Sequence, residues 1–99
     1  MAVIKVKDCI LNNINHEDGS RVYHQVKESL KRKEPAIIDF ENVDIVTSSF
    51  LNTSFRLLAM DYEYVFLKEN VSIKNSTKLI NKMVMDSIKE VYQQRGVIF

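Results

Sequence analysis

The sequence predicts one small α/β domain over residues 1–99, with a mixed sheet of three to five strands and about three helices packed mainly on one face. Strand-like and helix-like segments alternate along the chain, a pattern typical of an α/β sandwich with right-handed crossovers. The length suits a single two-layer core. Three helices cannot cover both faces of the sheet, so we expect the second face to be partly open and available for self-association.

The first strand is predicted from Ala2 to Ile10, where apolar and charged residues alternate. Its lysines are typical of a strand at a sheet edge. A polar loop follows, and Asp18-Gly19-Ser20 is the predicted start of the first helix. Its apolar positions recur at helical spacing, and Pro35 ends the helix region; the apolar residues are Val22, Val26 and Leu30.

The segment from Pro35 to Leu51 is the most informative part of the chain. Ala36 to about Asn42 is a short apolar run interrupted only by Asp39, which favours an interior strand. A hydroxyl cluster then precedes an amphipathic helix predicted from Ser49 to Asp61. Hydroxyl groups at that point can cap the free N–H groups of the first turn, where negative charge is also favoured.

The region from Tyr62 to Asn70 fits either a helix or a strand. We favour a short helix, because Val71-Ser72-Ile73-Lys74 alternates and makes the better strand. Asn75-Ser76-Thr77 is predicted to cap the last helix, which ends at Arg95-Gly96. Its predicted buried face consists of Leu79, Ile80, Met83, Val84, Ile88 and Val91. For the apolar tail from Val97 to Phe99 three roles are open: an additional strand, packing against the rest of the domain, or contact with a partner.

Composition narrows the function classes. Fourteen basic and thirteen acidic residues nearly cancel, so charge alone requires neither nucleic acid nor a membrane surface. The single cysteine cannot form an internal disulfide, which favours a reducing compartment. The charged N-terminus does not resemble a signal peptide, and no apolar run approaches the ~20 residues that span a bilayer. We therefore expect a cytoplasmic protein without membrane contact.

Signatures of catalysis are sparse. Two glycines in the whole chain exclude a phosphate-binding loop, and one cysteine excludes a cysteine zinc site. His16 and His24 need a further ligand to hold a metal, and solvated surface histidines are the better interpretation. Cys9 lies in an apolar context typical of a buried thiol. Asp39 is equally compatible with a functional carboxylate and a backbone cap. We expect no enzyme, catalytic residue, metal or cofactor.

One dense basic patch occurs, at the end of the first helix: Lys27, Lys31, Arg32 and Lys33. It could contact phosphates of a nucleic acid. Cations at a helix C-terminus are also favoured by the helix dipole, and a solvated terminus is the commoner outcome.

The motifs in this order resemble the STAS-like family of unknown function. Ile38-Asp39-Phe40-Glu41-Asn42-Val43 followed by Thr47-Ser48-Ser49-Phe50-Leu51 is similar to its core motif. The similar stretches elsewhere are Gly19-Ser20-Arg21, Phe66-Leu67-Lys68 and Val71 to Asn75. The resemblance runs from about Gly19 to Tyr92. The family is similar in turn to STAS domains of anti-sigma factor antagonists.

In those antagonists the second serine of the pair accepts phosphate from an anti-sigma kinase, and the phosphate breaks their complex. The resemblance places that role on Ser49, with Ser48 beside it. Thr47 replaces an acidic residue of the classical motif, and Phe50 replaces a glycine. Phe50 therefore either restricts the access of a kinase or packs into the core.

The sequence thus predicts a small regulatory interaction module. The resemblance implies that serine phosphorylation switches it and that a histidine-kinase-like ATPase is its partner; the other interpretation is that Ser48 and Ser49 only cap the helix. The residues predicted to bind the partner are Thr47, Ser48, Ser49, Phe50, Asn52 and Thr53. The alternative is a nucleic-acid-binding or phage-type accessory protein that uses the basic patch. A third hypothesis is an enzyme fragment completed by a partner chain.

Overall fold

The computed structural model describes residues 1–98. The elements in this part of the chain are β1 Ala2–Lys5, α1 Val6–Cys9, α2 His16–Lys31, β2 Ala36–Asp39, α3 Ser48–Asn52, α4 Phe55–Asp61, α5 Tyr64–Asn70, β3 Val71–Lys74 and α6 Lys78–Gln94. The α/β class is as predicted. Residues 1–98 contain six helices instead of about three, because α1 was not expected, the predicted middle helix is divided into α3 and α4, and α5 is the short helix favoured for Tyr62–Asn70.

The sheet has the strand order β1-β2-β3, and both pairings are parallel. The prediction of a mixed sheet is therefore wrong for the described residues. The reason is that helices occupy both connections, and a helical crossover returns the chain to the same end of the sheet. Two crossovers of the same hand between successive neighbours lie on the same face.

Burial follows this topology. Ile4, Ile38 and Ile73 form one row across the sheet, and the first two are only 4% and 0% exposed. The row on the opposite face contains Val3, which is 48% exposed, and an exposed Ser72. Helices thus cover one face, and the other is partly open as predicted.

The first strand is much shorter than predicted. It ends at Lys5, and a single helical turn from Val6 to Cys9 follows. Val6 and Cys9 are both buried, which a spacing of three achieves in a helical turn but not in a strand. Alternation over Ala2–Ile10 therefore extended the predicted strand beyond its true end.

The first helix begins earlier than predicted, at His16. Asn15 is its N-cap, and its side chain accepts hydrogen bonds from the backbone N–H groups of Glu17 and Asp18. The Asp18 side chain accepts in return from the backbone of Asn15, which completes a capping box. The predicted start at Asp18-Gly19-Ser20 overlooked this motif, in which Asp18 is the third residue of the helix.

The predicted helix from Ser49 to Asp61 is broken into α3 and α4. Ser54, at the break, has φ −117° and ψ −93° and is fully buried. Its hydroxyl donates to the Phe50 carbonyl at 2.7 Å, so a side chain replaces the helical backbone partner there. The apolar stripe continues through the break, which is why periodicity did not reveal it.

The second half of the chain follows the predictions more closely. The Tyr62–Asn70 region is helical from Tyr64, β3 has the predicted bounds, and Thr77 caps α6. Leu79 was wrongly placed on the buried face of α6, since it is 56% exposed, whereas Tyr92 is buried there. Val97 is half-buried and Ile98 exposed, in neither case within a strand. The part of the tail prediction that concerns Phe99 lies outside the described residues.

No helix within residues 1–98 is both long and apolar enough to cross a membrane.

Candidate functional site

The hydroxyl cluster lies at the start of α3, and Thr47 is the cap. Its Oγ1 accepts a hydrogen bond from the Phe50 N–H at 3.1 Å. Ser48 and Ser49 are the first two helical residues, and both are exposed. Neither hydroxyl has a hydrogen-bond partner within residues 1–98, so the interpretation of these serines as helix caps is wrong. Both are accessible to an external group.

Phe50 must be removed from the predicted partner-binding residues. Its side chain is 0% exposed and belongs to the core. Of the two roles left open for this bulky residue, the structure shows core packing. A glycine at this position would leave a cavity in this core, so the departure from the classical motif has a structural cause.

The start of α2 is joined to both ends of α3 by side chain to backbone hydrogen bonds. The Thr47 hydroxyl donates to the Ile14 carbonyl, and the Thr53 hydroxyl donates to the His16 carbonyl at 2.6 Å. Thr53 is half-buried, and its hydroxyl is engaged in the hydrogen bond to His16. We therefore assign Thr53 a supporting role, while Asn52 is exposed and remains a candidate contact residue.

Gly19 allows the two helices to approach closely. A Cβ atom at this position would lie 2.2 Å from the Phe50 carbonyl oxygen and 2.3 Å from Thr53 Oγ1. Both distances are far below van der Waals contact. The glycine in the Gly19-Ser20-Arg21 motif is thus required by helix packing.

Asp18 organises the loop before α2, and sequence reasoning missed this role. Its buried carboxylate accepts from the backbone N–H groups of Leu11 at 2.7 Å and Asn12 at 3.1 Å, and pairs with Arg21. Burial opposes ionisation, but these donors outweigh it and hold the pKa of Asp18 below its ordinary value. A carboxylate three residues after an Asn cap was the available sequence signal.

Asp39 has a comparable structural role at the end of β2. It accepts from the Asn75 side chain at 3.0 Å and from the Glu41 backbone N–H at 2.9 Å. The Asn75 amide and the Glu41 N–H lower its pKa despite burial. Of the two interpretations left open, Asp39 is therefore the backbone cap. It ties the loops after β2 and β3 together.

Charged side chains lie close to Ser48. Ser48 and Asn52 border a shallow depression of 250 Å³ between α3, α4 and α6. Arg56 and Glu90 form an ion pair of 3.2 Å there. A modified Ser48 would therefore lie near Asp86 and the Arg56–Glu90 pair.

The basic patch does not form a continuous positive surface. Lys27 lies 3.0 Å from the Tyr23 hydroxyl and 3.1 Å from Asp61, and the hydrogen bonds to Tyr23 and Asp61 raise its pKa. Lys31 pairs with Glu28 at 3.8 Å and Arg32 with Glu34 at 3.3 Å. Lys33 lies in the turn after α2 with φ 59°. Three of the four cations thus have acidic neighbours, which weakens the patch as a phosphate-binding surface.

Titratable side chains elsewhere do not assemble into a reactive group. Within residues 1–98, no three His, Cys, Asp or Glu side chains are placed to hold a metal. Cys9 is buried, and burial raises the pKa of its thiol, which disfavours the reactive thiolate. A mostly apolar groove of 300 Å³ lies between α5, β3 and α6, separate from the serines.

A family model described as a STAS-like domain of unknown function matches residues 18–81. Neither a curated protein nor a solved structure matches the chain. The matched region begins at Asp18, includes Thr47, Ser48 and Ser49, and ends within α6. It covers well over half of the chain, and the resemblance read from the motifs is confirmed. The chain belongs to the family of STAS-like domains of unknown function.

Proposed function

We propose that this protein is a regulatory interaction module that acts by binding a protein partner, without catalysis of its own. The observation that carries the proposal is the exposure of Ser48 and Ser49 at the start of α3. Other residues hold this helix in place: Thr47 caps it and Phe50 anchors it in the core. The two hydroxyls have no structural task within the described chain. They are therefore free to be recognised or modified.

The partner would contact Ser48, Ser49 and Asn52. Thr47 and Thr53 would hold α3 in position through their hydrogen bonds to the start of α2. The likeness of the family to anti-sigma factor antagonists supports an ATPase of the histidine-kinase type as the partner. Phosphorylation of Ser49 would then switch the complex off. A phosphate adds about −1.5 to −2 charges at pH 7, and an interface shaped around a neutral hydroxyl would have to desolvate them without a counter-charge.

This switch does not depend on stabilisation of the phosphate by α3. That helix has five residues, so its dipole is small, and Ser48 faces a depression that includes Asp86 and Glu90. Exposure of the serines means that the phosphate remains hydrated in the free domain. The effect of modification is therefore expected in binding and not in folding.

Capture of the tagged protein from its source cells, read by mass spectrometry, identifies the partner and any phosphate on Ser48 or Ser49. With that partner purified, Ser49→Asp is expected to abolish binding, whereas Ser49→Ala retains it. Thermal unfolding should be unchanged in both variants. If Ser49→Asp binds like the wild type, the switch is wrong.

The nucleic-acid alternative is separated by a second pair of changes. Lys31→Glu with Arg32→Glu should leave partner binding intact. Loss of nucleic-acid binding in this double variant, together with normal behaviour of Ser49→Asp, would replace the proposal by the alternative.

A further inference from the structure

The outer side of β3 is an unpaired sheet edge. Within residues 1–98 the strand order is β1-β2-β3, so β3 pairs on one side only, with β2. The Lys74 carbonyl accepts from the Phe40 N–H at 3.0 Å and therefore points toward β2. Backbone groups alternate in direction along a strand, so the N–H and C=O groups of Ile73 point to the outer side. An edge of this kind is a template for a further strand.

The apolar groove between α5, β3 and α6 runs along this edge. It contacts Val71, Ser72 and Ile73 in succession. Successive side chains of a strand point to opposite faces, so a groove that touches all three lies along the edge of the strand. Most of its remaining lining side chains are apolar and come from α4, α5 and α6: Phe55, Leu67, Val84, Met85 and Ile88.

The other edge of the sheet has no such apolar wall. A depression beside β1 contacts Ala2, Val3 and Ile4. Its remaining lining residues are all polar or charged: His24, Gln25, Glu28 and Arg32. In the described sheet, the edge of β3 alone thus combines outward backbone groups with an apolar wall.

The charges that border the groove are positive. Lys68 is the one charged residue in its lining, and it is exposed and forms no ion pair with a carboxylate of residues 1–98. On α6, Lys78, Lys82, Met85 and Lys89 recur at i, i+4, i+7 and i+11 and therefore share one stripe of the helix. Because Met85 lines the groove, this stripe borders it. Within the described chain, Lys78 also has no carboxylate partner.

The carboxylates of α6 and of the turn before α5 do not neutralise this border. Asp86 and Glu90 line the depression beside Ser48, on the opposite flank of α6. Asp86 reaches only the outermost lysine of the stripe, through its pair with Lys82. Glu63, before α5, is paired with an arginine at 2.8 Å.

Two further carboxylates belong to β2 and α5. Asp39 lies 3.9 Å from Lys74 Nζ on the open face of the sheet, so Lys74 is not counted among the available cations. Glu69 follows Lys68 by one residue and lies about 100° around α5 from it, away from the lining residues. Lys68 and Lys78 therefore remain available to a negatively charged ligand.

We propose that the edge of β3 binds an extended segment of an acidic partner protein, which adds a fourth strand to the described sheet. Backbone groups of the segment pair with Ile73, alternate aliphatic side chains enter the groove, and flanking carboxylates face Lys68 and Lys78. Strand addition of this kind takes its affinity from main-chain hydrogen bonds and its specificity from alternate side chains. Charge complementarity selects an acidic segment, because the lysines repel a basic one. This site is separate from the serines and does not depend on the function proposed for them.

Selection from a random peptide library displayed on phage tests the chemistry of the segment. Parallel selections use the full wild-type chain and Met85→Glu, which places a carboxylate on the groove wall. The wild type should enrich sequences with alternating aliphatic residues flanked by Asp or Glu, and the variant should not. The proposal is overturned by enrichment of basic or helix-patterned sequences, by the same sequences on both proteins, or by no enrichment.

Fluorescence anisotropy with the enriched peptide then measures the contributions of wall and border. Met85→Glu should weaken binding about tenfold or more. Lys68→Glu should weaken it roughly three- to tenfold at about 50 mM salt, with little effect at about 300 mM salt. All four changed residues are at the surface, and thermal unfolding verifies the fold of each variant. The matched controls, Val3→Glu on β1 and Lys7→Glu on α1, change an exposed aliphatic and an exposed lysine and should leave affinity unchanged. A loss for Val3→Glu equal to that for Met85→Glu would show that the edge of β3 is not the site.

Modified peptides test the strand pairing itself. A strand directs alternate backbone amides to its neighbour, so N-methylation of one alternate set should abolish binding, and N-methylation of the other set should leave it within about threefold. Equal effects of the two sets contradict strand addition.

Other occupants are distinguished by the same variants. Sedimentation of the wild type as a dimer, with Met85→Glu as a monomer, would assign the groove to a second copy of the chain. Binding of phosphatidylserine vesicles or of a labelled oligonucleotide that is lost in both Met85→Glu and Lys68→Glu would assign it to lipid or nucleic acid. Either result overturns the proposal. None of these variants touches the serines, so failure of this inference leaves the proposed function in place, and the reverse holds for Ser49→Asp.

Discussion

Asp18 shows how a single side chain can fix a functional surface without being part of it. Its carboxylate closes the capping box of α2, binds the loop from Leu11 to Asn15 and pairs with Arg21. Arg21 in turn donates to the Cys9 carbonyl at 2.9 Å. The buried Asp18 carboxylate thereby connects α1, the loop from Leu11 to Asn15 and α2.

Asp18→Asn should lower the free energy of unfolding at pH 7 by about 3 kcal/mol, because a buried charge-paired acceptor is lost. The pKa of Asp18 is lowered by folding, from an ordinary value of 3.8. Its contribution is therefore complete above that value and is lost as the pH falls through the folded pKa. In urea unfolding from pH 7 to pH 2, Asp18→Asn should lose less stability than the wild type and the control Asp44→Asn, because only the Asp18 contribution is missing while that of Asp39 remains.

Gly19→Ala should be more damaging than its size suggests. The new Cβ would overlap the Phe50 carbonyl and Thr53 Oγ1, so α2 and α3 must separate. We expect a loss of about 2 to 3 kcal/mol in urea unfolding. Gly96→Ala is the control. At Gly96 φ is +87°, but a Cβ atom added there would have no other atom within 4 Å. The free energy of unfolding should therefore fall only by the backbone strain, about 1 kcal/mol. Equal losses would contradict the steric explanation.

At the scale of elements, the short helix α3 depends on its neighbours more than on its own length. Five residues cannot form a stable isolated helix. Thr47 caps it, Ser54 ends it through the Phe50 carbonyl, and Phe50 and Leu51 anchor it in the core. The exposed serines are thus displayed by tertiary contacts.

Thr47→Ala should therefore lower stability by about 1 to 2 kcal/mol, since it removes both the cap and the bond to Ile14. Ser48→Ala, one residue later and exposed, should change stability by less than about 0.5 kcal/mol. Thermal unfolding of the two variants provides the comparison. Similar melting temperatures would mean that Thr47 does not hold α3 in place.

At the scale of the molecule, the parallel order β1-β2-β3 places the core on one side of the sheet. Ile38→Ala on the covered face should cost about 3 kcal/mol because it leaves a cavity. Val3→Ala on the open face should cost less than about 1 kcal/mol. Guanidinium unfolding of both variants measures the difference. A large loss for Val3→Ala would show that the second face is also packed.

Local sequence patterns were sufficient to predict a strand or helix wherever the residues of that element determine its structure. The alternation in Val71–Lys74 predicted β3, and the cap at Thr77 predicted the start of α6. The apolar run after Pro35 predicted the central strand, which ends at Asp39 and not near Asn42. The ordered motifs were also sufficient to recognise the family. In each case the signal lay within a few neighbouring residues.

The remaining features depend on contacts between distant residues. The close approach of α2 and α3 at Gly19 is one such contact. The early start of α2 and the break at Ser54 instead depend on local side-chain hydrogen bonds that periodicity does not reveal. The sequence by itself determined the α/β class, the central strand and the serines that begin α3. Only the tertiary structure decided that Phe50 is buried and that Thr47 and Thr53 bind the start of α2, because these properties depend on packing between segments more than thirty residues apart.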